Sequence, residues 1–504
     1  MLGEAPSLLK HPHVLPERNL VKKLPGKTAS MKPIIYLIAS FLLLSCNVLS
    51  AHANQNNRVI ILTDMGADPD DSESMVRLLL YSNQIEIKGL IATTSIWQKN
   101  IVRPEMIDDI VHAYGKVQSN LLKHEAGFPT AESLEKTITH GIAAYGMQGV
   151  GEGKDSPGSE LIINVLKEKD DRPLWIPVWG GVNTLAQALY KIKKTETEPE
   201  AKRLIAKLRV YTISDQDDSG IWIRNNFPEL FYIVSPGDDY GGSTWGAINS
   251  TIDGINNETI SNKWLAENIQ QSHGALGAVY PDVSYGMEGD TPSYLNLIPN
   301  GLSDAEHPNW GGWGGRYEFY QPDHLPKKGP SGVPLELETR SIWTNAIDNY
   351  IPAAQGEYGR ATKMGVTTFT GNKVTLWRWR DDFQNDLAAR MSWCNQSYQQ
   401  ANHPPVPKLL MADHIIVKSG ERFSLNATAT DPDGDSLSYL WFNYAEAGSY
   451  KQLIKIDSAE NLPLVNVVAP VVDQEQTAHF ILRVTDKGKP QLSRYKRVIV
   501  TVLP

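Results

Sequence analysis

A chain of 504 residues is too long for a single hydrophobic core, so its length predicts two or more domains. Hydrophobic residues make up 41% and charged residues 21%, a composition typical of a globular protein. The first 53 residues carry six Lys/Arg and two Asp/Glu, which leaves 42 basic and 55 acidic residues, a net charge of −13, in the remainder. Because an acidic surface repels phosphate backbones, we expect no binding to a nucleic acid polymer.

A short apolar segment near the start has the features of an export signal. Lys32 precedes the apolar run 33–44, and Ala51-His52-Ala53 matches the small-x-small pattern that signal peptidase cuts. About a dozen apolar residues are too few to span a bilayer. We therefore expect residues 1–53 to be an upstream extension and a signal peptide, with Met31 as the natural start, and the protein to be periplasmic or extracellular.

The same segment leaves a second interpretation open. Residues 43–46, Leu-Leu-Ser-Cys, resemble a bacterial lipobox, in which Cys46 would carry a lipid and anchor the protein to the outer membrane. Contact with a membrane is expected only through such an anchor. Cys46 and Cys394 are the only cysteines, so loss or lipidation of Cys46 leaves Cys394 without a disulfide partner. A zinc site built from several cysteines is excluded for the same reason.

Hydrophobic patterning over residues 57–395 predicts an α/β domain with an open, mostly parallel sheet. A buried strand at Arg58–Leu62 is followed by apolar residues at helical spacing and then by a strand at Ile85–Ala92. This β-α-β order implies parallel strands with helices on both faces of the sheet. The same reasoning predicts further elements: strands Leu174–Val178 and Leu208–Ile213, and a helix Thr184–Ile192.

A change of pattern after residue 395 predicts a second domain. Residues 396–408 contain Asn-His-Pro-Pro-Val-Pro and are typical of a linker. Residues 409–504 then alternate in short strands, which predicts a small immunoglobulin-like β-sandwich with Trp441 in its core. The turn Asp431–Asp435 can bind Ca²⁺, but Pro-Asp-Gly is sufficient as a turn by itself. The predicted strands are Ile415–Val417, Phe423–Ala427, Leu437–Trp441, Ala478–Val484 and Arg497–Val502.

An acidic loop joins the first strand to the first helix. Asp64, Asp68, Asp70 and Asp71 lie within eight residues, at the edge where open parallel sheets bind ligands. Four carboxylates repel one another, and a hard divalent cation such as Ca²⁺ relieves the repulsion. Asp is also common at helix N-caps and in first turns, which would explain one or two of these residues. Four aspartates directly after a strand favour a metal site.

Longer strings in the sequence resemble a known family. The loop resembles the nucleoside-hydrolase superfamily signature, in which a strand ends in Asp-x-Asp-x-Gly and leads to Asp-Asp at a helix start. Together with ISDQDDSGIWIR (213–224), EGDTPSYLNLIPNGLSD (288–304) and HPNWGGWGGRYEFY (307–320), it resembles the cellulose-binding, nucleoside-hydrolase-like family. Members of that family join a nucleoside-hydrolase-like α/β domain to a small β-domain.

The resemblance also implies roles for individual residues. Asp64 corresponds to the aspartate that binds Ca²⁺ and acts as general base on the bound water. Asp70, Asp71 and Asp290 correspond to further carboxylate ligands, and Asn183 to a residue whose backbone carbonyl binds the metal. The implied activity is Ca²⁺-dependent hydrolysis of a glycosidic or N-glycosidic bond, in the use of polysaccharides or nucleosides.

Several positions depart from the superfamily pattern. Leu62 stands where the superfamily has its first aspartate, and two residues are inserted before Asp70. Gly289 replaces a histidine that assists the leaving group, and Ser95-Ile96-Trp97 replaces a Gly-Asn pair. The ribose-binding Glu-Phe-Asn string is absent, which argues against a nucleoside as substrate. A non-catalytic carbohydrate-binding protein, built for cellulose on the same scaffold, is therefore the alternative.

Aromatic and acidic residues on predicted loops are candidates for substrate contact. Asp215 and Asp217 follow a strand and should reach the same sheet edge as Asp64, although a polar loop would look the same. Glu288 and Asp282 are candidates for protonating a leaving group, or are solvated loop residues. Flat rings stack on sugar faces or bases, but loop tryptophans also plug domain surfaces. The aromatic candidates are Trp97, Trp222, Trp245, Trp310 and Trp313.

Overall fold

The computed structural model describes residues 56–237, 240–326, 329, 332–351, 368–457 and 461–504. The predicted export signal and the lipobox with Cys46 lie outside these residues. Within the described ranges, no helix has both the length and the apolar character needed to cross a membrane. Residues 56–504 form one unit in which an α/β domain and an all-β domain meet.

An eight-stranded sheet forms the centre of the α/β domain within the described ranges. Its strand order is β3-β2-β1-β4-β5-β6-β8-β7, and all neighbours are parallel except β7, which pairs antiparallel with β8. This is the predicted open, mostly parallel sheet. The strands are β1 Asn57–Thr63, β2 Ile85–Ala92, β3 Ile138–His140, β4 Leu174–Val178, β5 Leu208–Thr212, β6 Phe231–Val234, β7 Tyr317–Tyr320 and β8 Ile342–Asn345.

Helices cover both faces of this sheet. Along β1, Val59 and Ile61 belong to one buried cluster, whereas Ile60 and Leu62 belong to another on the opposite face. The predicted α/β fold class is therefore confirmed. The helices of eight or more residues are Asp70–Leu80, Pro104–Gly115, Pro157–Lys167, Asn183–Thr195, Glu198–Ala206, Ser219–Asn226 and Arg380–Ser392. Shorter α-helices are Gln118–Leu121, Ala131–Glu135, Tyr240–Ser243, Trp245–Asn249, Asn262–Leu265, Gly274–Ala278, Pro292–Leu295 and Val374–Trp377.

Two four-stranded sheets form the second domain, in the orders β11-β13-β16-β15 and β12-β18-β17-β14. Their pairing is antiparallel except between β12 and β18, and Trp441 is fully buried between them, as predicted. A separate pair, β9 Asp348–Tyr350 and β10 Phe369–Gly371, precedes them. The strands are β11 Val406–Leu409, β12 His414–Lys418, β13 Arg422–Thr430, β14 Leu437–Asn443, β15 Ile456–Asp457, β16 Leu464–Val468, β17 Gln476–Asp486 and β18 Ser493–Leu503.

The segment predicted as a linker, 396–408, is packed against both domains. The indole N–H of Trp393 donates to the carbonyl of Asn402 at 2.9 Å, and the Asn402 amide donates to the Asp486 carboxylate at 3.2 Å. The backbone N–H of His403 donates to Asp433 at 2.7 Å. The segment is thus a folded connection rather than a free tether.

A buried junction joins the two domains. Trp313 is fully buried, and its indole N–H donates to the Tyr495 hydroxyl at 3.3 Å. Tyr495 in turn donates to Asp382 of the first domain. Arg494 pairs with Asp386 across the same boundary at 2.6 Å. The C-terminal strand of the second domain therefore completes the packing of the first.

Candidate active site

The acidic loop lies where the adjacent parallel strands β1 and β4 end. The strand order reverses at this point of the sheet, which is where open α/β sheets bind ligands. Asp64 directly follows β1, and Trp179 directly follows β4. A cavity of about 380 Å³ opens there. Its lining residues are Asp64, Ala67, Asp68, Asp70, Asp71, Trp97, Trp179, Ile213, Ser214, Gln216, Trp245, Tyr285 and Asp290.

Local hydrogen bonds fix the acidic loop in a tight turn. The N–H of Ala67 donates to the carbonyl of Asp64 at 3.0 Å, and the Thr63 hydroxyl donates to the Asp71 carboxylate. Gly66 has φ +93°, a left-handed conformation that costs glycine little and strains other residues. The loop can therefore turn within a few residues and bring Asp64 and Asp71 to the same cavity.

Carboxylates converge in this cavity without a compensating positive side chain. Asp64, Asp70, Asp71 and Asp290 are each at most 3% exposed, and none of the described lining residues is Lys, Arg or His. Burial, followed by repulsion from Asp68, raises the pKa of Asp64 to about 6. Burial and the neighbouring carboxylates raise the pKa of Asp70, Asp71 and Asp290 well above the ordinary range. The carboxylate charges are therefore costly unless a cation offsets them.

The donor set fits a hard divalent cation. Ca²⁺ and Mg²⁺ are bound in proteins mainly by carboxylate and carbonyl oxygens. Carboxylate oxygens of Asp68, Asp70 and Asp71 lie within 4.8 Å of one another, and Asp64 and Asp290 line the same cavity. A cation there would remove the repulsion that raises the pKa values of these groups.

Asn183 lies at the start of its helix, next to the end of β2. Its side-chain amide donates to the Thr94 hydroxyl at 3.1 Å and to the carbonyl of Ala144 at 2.8 Å, and its oxygen accepts from Thr93 at 2.9 Å. The Asn183 side chain is therefore occupied in fixing the β2–helix junction. Its backbone carbonyl as a metal ligand stays a prediction.

Trp245 fills the space next to Gly289, where the superfamily has a histidine. The Trp245 indole N–H donates to Asp70 at 2.6 Å. A Cβ atom at residue 289 would lie 2.0 Å from Cδ1 and Nε1 of Trp245 and 2.6 Å from an Asp70 oxygen. Glycine is thus required for the indole to reach Asp70, and the superfamily's leaving-group acid cannot be accommodated beside it.

Aromatic rings surround the acidic cluster. Trp97 was predicted from sequence, and the structure places it in the cavity lining with 61% of its surface exposed. Trp179 and Tyr285 were missed. The position of Trp179 directly after a predicted buried strand was an available signal, and its indole N–H donates to Ser293 at 2.9 Å. Tyr285 is 87% exposed and lies on a loop without a recognisable sequence pattern.

Three predicted contact residues on the 214–222 segment lie outside the cavity lining. Asp215 forms a bidentate ion pair with Arg224, in which both N–O distances are 2.8 Å. Asp217 accepts from the N–H of Ser219 at 2.9 Å, and Trp222 packs edge-on against a phenylalanine. These side chains stabilise the segment, whereas Ser214 and Gln216 of the same segment line the cavity.

Glu288 is neither a cavity residue nor a solvated loop residue. It is fully buried and forms an ion pair with Arg77, in which Nη2 lies 3.1 Å from Oε1. The hydroxyls of Tyr280 and Thr291 also donate to its carboxylate, each at 2.9 Å. Asp282 is exposed and accepts from Gln270 at 3.1 Å. Neither carboxylate faces the acidic cluster.

The two tryptophans of the glycine-rich loop lie at the domain junction. The ring of Trp310 stacks on His307, with centroids 4.0 Å apart, and is half-buried. Trp313 is fully buried and offers no surface to a ligand. Trp313 therefore fits the alternative interpretation, in which a loop tryptophan packs into a domain surface, rather than substrate contact.

Comparisons with known proteins agree with both domains. Residues 58–317 match the family described as cellulose-binding Sde182, nucleoside hydrolase-like domain, and residues 422–502 match the cellulose-binding protein Sde0182, C-terminal domain. A nucleoside hydrolase-related hypothetical protein from Saccharophagus degradans, associated with carbohydrate metabolism, has 36% identity and a TM-score of 0.72. That alignment covers 89% of this chain and 100% of the other.

Two further solved structures have low similarity to this chain. The effector protein XOO4466 and the type III effector XopQ, complexed with adenosine diphosphate ribose, align over 72% of this chain and 99% of theirs. Their identities are 8% and 11% and their TM-scores 0.30. No curated protein matches the chain. The family match, the 36% identical structure and the strand order together confirm the resemblance seen in sequence, and the chain belongs to the cellulose-binding, nucleoside-hydrolase-like family.

Proposed function

We propose that the protein binds a carbohydrate in the acidic cavity and hydrolyses a glycosidic or N-glycosidic bond there, with Ca²⁺ as cofactor. The observation that carries this proposal is the position of Asp64, a carboxylate buried in the cavity lining directly after β1, beside the carboxylates of Asp70, Asp71 and Asp290. A general base must lie within hydrogen-bond reach of the proton that it takes. Asp64 lies where it would contact a water in the cavity and take its proton.

The other cavity residues have supporting roles in this proposal. Asp70, Asp71 and Asp290 would hold the cation together with Asp64. When bound, a divalent cation supplies Lewis-acid polarisation of an oxygen ligand. The indole N–H of Trp245 orients Asp70 at 2.6 Å. Carboxylates near an anomeric carbon stabilise the positive charge that develops there as the bond breaks.

A non-catalytic carbohydrate-binding protein is the second candidate function. Trp245 occupies the space beside Gly289, so the leaving-group histidine of the superfamily has no counterpart. Among the described residues that line the cavity, the polar side chains other than the carboxylates belong to Ser214, Gln216, Trp97, Trp179, Trp245 and Tyr285. None of these is a carboxyl or imidazole group, the usual donors of a proton to a leaving group, and the family is described as cellulose-binding. In this case the cation and the rings would hold a sugar without cleaving it.

One experiment separates the two candidates. The full chain is incubated with Ca²⁺ and either cello-oligosaccharides or inosine, and the release of reducing sugar is measured. Binding to insoluble cellulose is measured in parallel by sedimentation. The hydrolase proposal requires that the wild type shows turnover and that Asp64→Asn abolishes it. Asp282→Asn, the same change at an exposed position, should leave turnover intact. Cellulose binding without turnover in all three proteins would favour the binding protein.

Export is part of the proposal and has its own test. Apolar run 33–44 and the Ala-His-Ala motif support cleavage after Ala53, whereas the lipobox supports a lipidated Cys46. N-terminal sequencing of the protein from a cell-envelope fraction should begin at Asn54. A blocked, acylated Cys46 would favour the lipoprotein, and an intact Met31 would contradict export.

A further inference from the structure

We infer that Tyr285 and Trp97 form a stacking subsite at the mouth of the acidic cavity, where they bind a second sugar ring. The ligand is then an oligosaccharide chain rather than a single sugar or a nucleoside. This inference rests on the carbohydrate-binding part of the proposed function. Both rings line the cavity, and they are 87% and 61% exposed, far more than most large aromatic side chains in this protein. Apolar ring surface that is exposed to water is unfavourable, and a ligand that covers these rings would remove that free-energy cost.

The backbone at Tyr285 adopts a strained conformation. The N–H of Gly286 donates to the carbonyl of Ser284 at 2.8 Å, which closes a three-residue γ-turn with Tyr285 at φ +67°. Turns of this type with a positive central φ are rare and strained, and a bulky residue there is an outlier. Glycine would remove the strain. A strained and almost fully exposed tyrosine does not stabilise the fold. Strained backbone conformations cluster at binding sites, which favours a role in binding.

The turn that carries Tyr285 is built directly on the acidic cluster. A Cβ atom at Gly286 would lie 2.9 Å from the Trp245 ring and 2.6 Å from the Asn249 amide, so glycine allows the turn to sit against that ring. The same indole donates to Asp70 at 2.6 Å. Asp70, Trp245, Gly286 and Tyr285 are therefore linked by consecutive contacts. This linkage holds the tyrosine in a defined position relative to the carboxylates.

The hydrogen-bonding character of the cavity favours a sugar over a nucleobase. The carboxyl groups of Asp64, Asp68, Asp70, Asp71 and Asp290 dominate the polar lining, so most of its polar atoms are oxygens that can accept hydrogen bonds. A ligand with many donors suits this lining, and every sugar hydroxyl is one. The C–H face of a pyranose ring covers an aromatic ring, whereas the polar edge of a nucleobase also carries acceptors that carboxylates repel.

The test is calorimetric titration of the full chain, in Ca²⁺, with glucose, cellobiose and cellotetraose. Cellotetraose should bind about tenfold more tightly than glucose. Trp97→Ala and Tyr285→Gly should each remove most of this difference, so that cellotetraose binds little more tightly than glucose. Tyr285→Phe should retain the affinity, and Phe319→Ala, at an exposed ring outside the cavity lining, should have no effect.

The possible outcomes separate this inference from the function on which it rests. Equal affinity for glucose and cellotetraose, or unchanged affinity in both ring variants, would overturn the subsite but leave carbohydrate binding in place. Failure of all three sugars to bind would overturn both. Inosine binding that is lost in Tyr285→Gly would show that the ring stacks on a nucleobase, and the inference would be wrong.

Discussion

The Nδ1 atom of His479 lies 3.0 Å from Nη1 of Arg497, so a neutral imidazole accepts a hydrogen bond from a guanidinium at the domain junction. Arg497 also donates to the carbonyls of Leu302 at 2.7 Å and Gly311 at 3.0 Å in the first domain. The ring of Trp310 packs edge-on against His479. Burial, followed by the nearby Arg497 charge, lowers the pKa of His479 to about 2.

We expect this histidine to make the protein less stable as the pH falls from about 7.5 to about 5. Its folded pKa of about 2 lies below the unfolded value of about 6.5, so the unfolded state binds the proton first. The histidine should contribute a loss of about 2 kcal/mol over this interval. Urea unfolding of His479→Gln should show a shallower pH slope than the wild type. His112→Gln, at an exposed position, should not, and an unchanged slope in His479→Gln would contradict the assignment.

Calcium should stabilise the full chain through the acidic cavity. A ligand at one hundred times its Kd adds about 2.7 kcal/mol, which is measurable as a rise in melting temperature. Asp71→Ala should abolish that rise, and Asp282→Ala should not. Without calcium, Asp71→Ala should be no less stable than the wild type, because the substitution removes one of several repelling buried carboxylates. Calcium binding retained in Asp71→Ala would exclude this residue as a ligand.

Gly289→Ala should disturb the cavity although it adds only one methyl group. The new Cβ would lie 2.0 Å from Trp245, so the indole must move and release Asp70. We expect a loss of about 1–3 kcal/mol of stability and weaker calcium binding. In a Trp245→Ala background the same substitution should have a smaller effect, since the clash with the indole is gone and only the 2.6 Å approach to the Asp70 oxygen remains. Equal effects in both backgrounds, measured by thermal unfolding and calorimetry, would contradict this explanation.

Glu288 should prove structural rather than catalytic. It is fully buried with Arg77, and removal of one partner leaves an unpaired buried charge at a cost of about 3–5 kcal/mol. Arg77→Met and Glu288→Met should therefore each destabilise strongly in urea unfolding. The double variant should lose much less than the sum of the two single losses. A Glu288→Met protein of normal stability but without turnover would instead show a catalytic role.

Four interior strands of the main sheet could be predicted closely from sequence, whereas the interior strands β6 and β8 and both edge strands could not. β1, β2, β4 and β5 were predicted to within a residue at each end, because strands buried on both faces are continuous apolar runs. β3 and β7 were missed because most of their residues are half-buried or exposed at the sheet edges. The apolar pattern there is too short to distinguish a strand from a loop.

The acidic cluster was visible in the sequence because its members are close in the chain. Asp64 to Asp71 span one loop, so spacing alone indicated a common site. The environment of Glu288 was not visible, since its partner Arg77 lies 211 residues away. Tyr285 owes its place in the cavity to packing of its turn on Trp245, another contact that no local pattern encodes.

The shared burial of Trp313 and Tyr495 bears on whether the two domains are independent of each other. A second domain that folded independently could be removed without affecting the first. Here recombination that removed the second domain would expose Trp313 and take Tyr495 away from Asp382 and Arg494 away from Asp386. The truncated chain should therefore be prone to aggregation. The two domains should unfold together rather than one after the other.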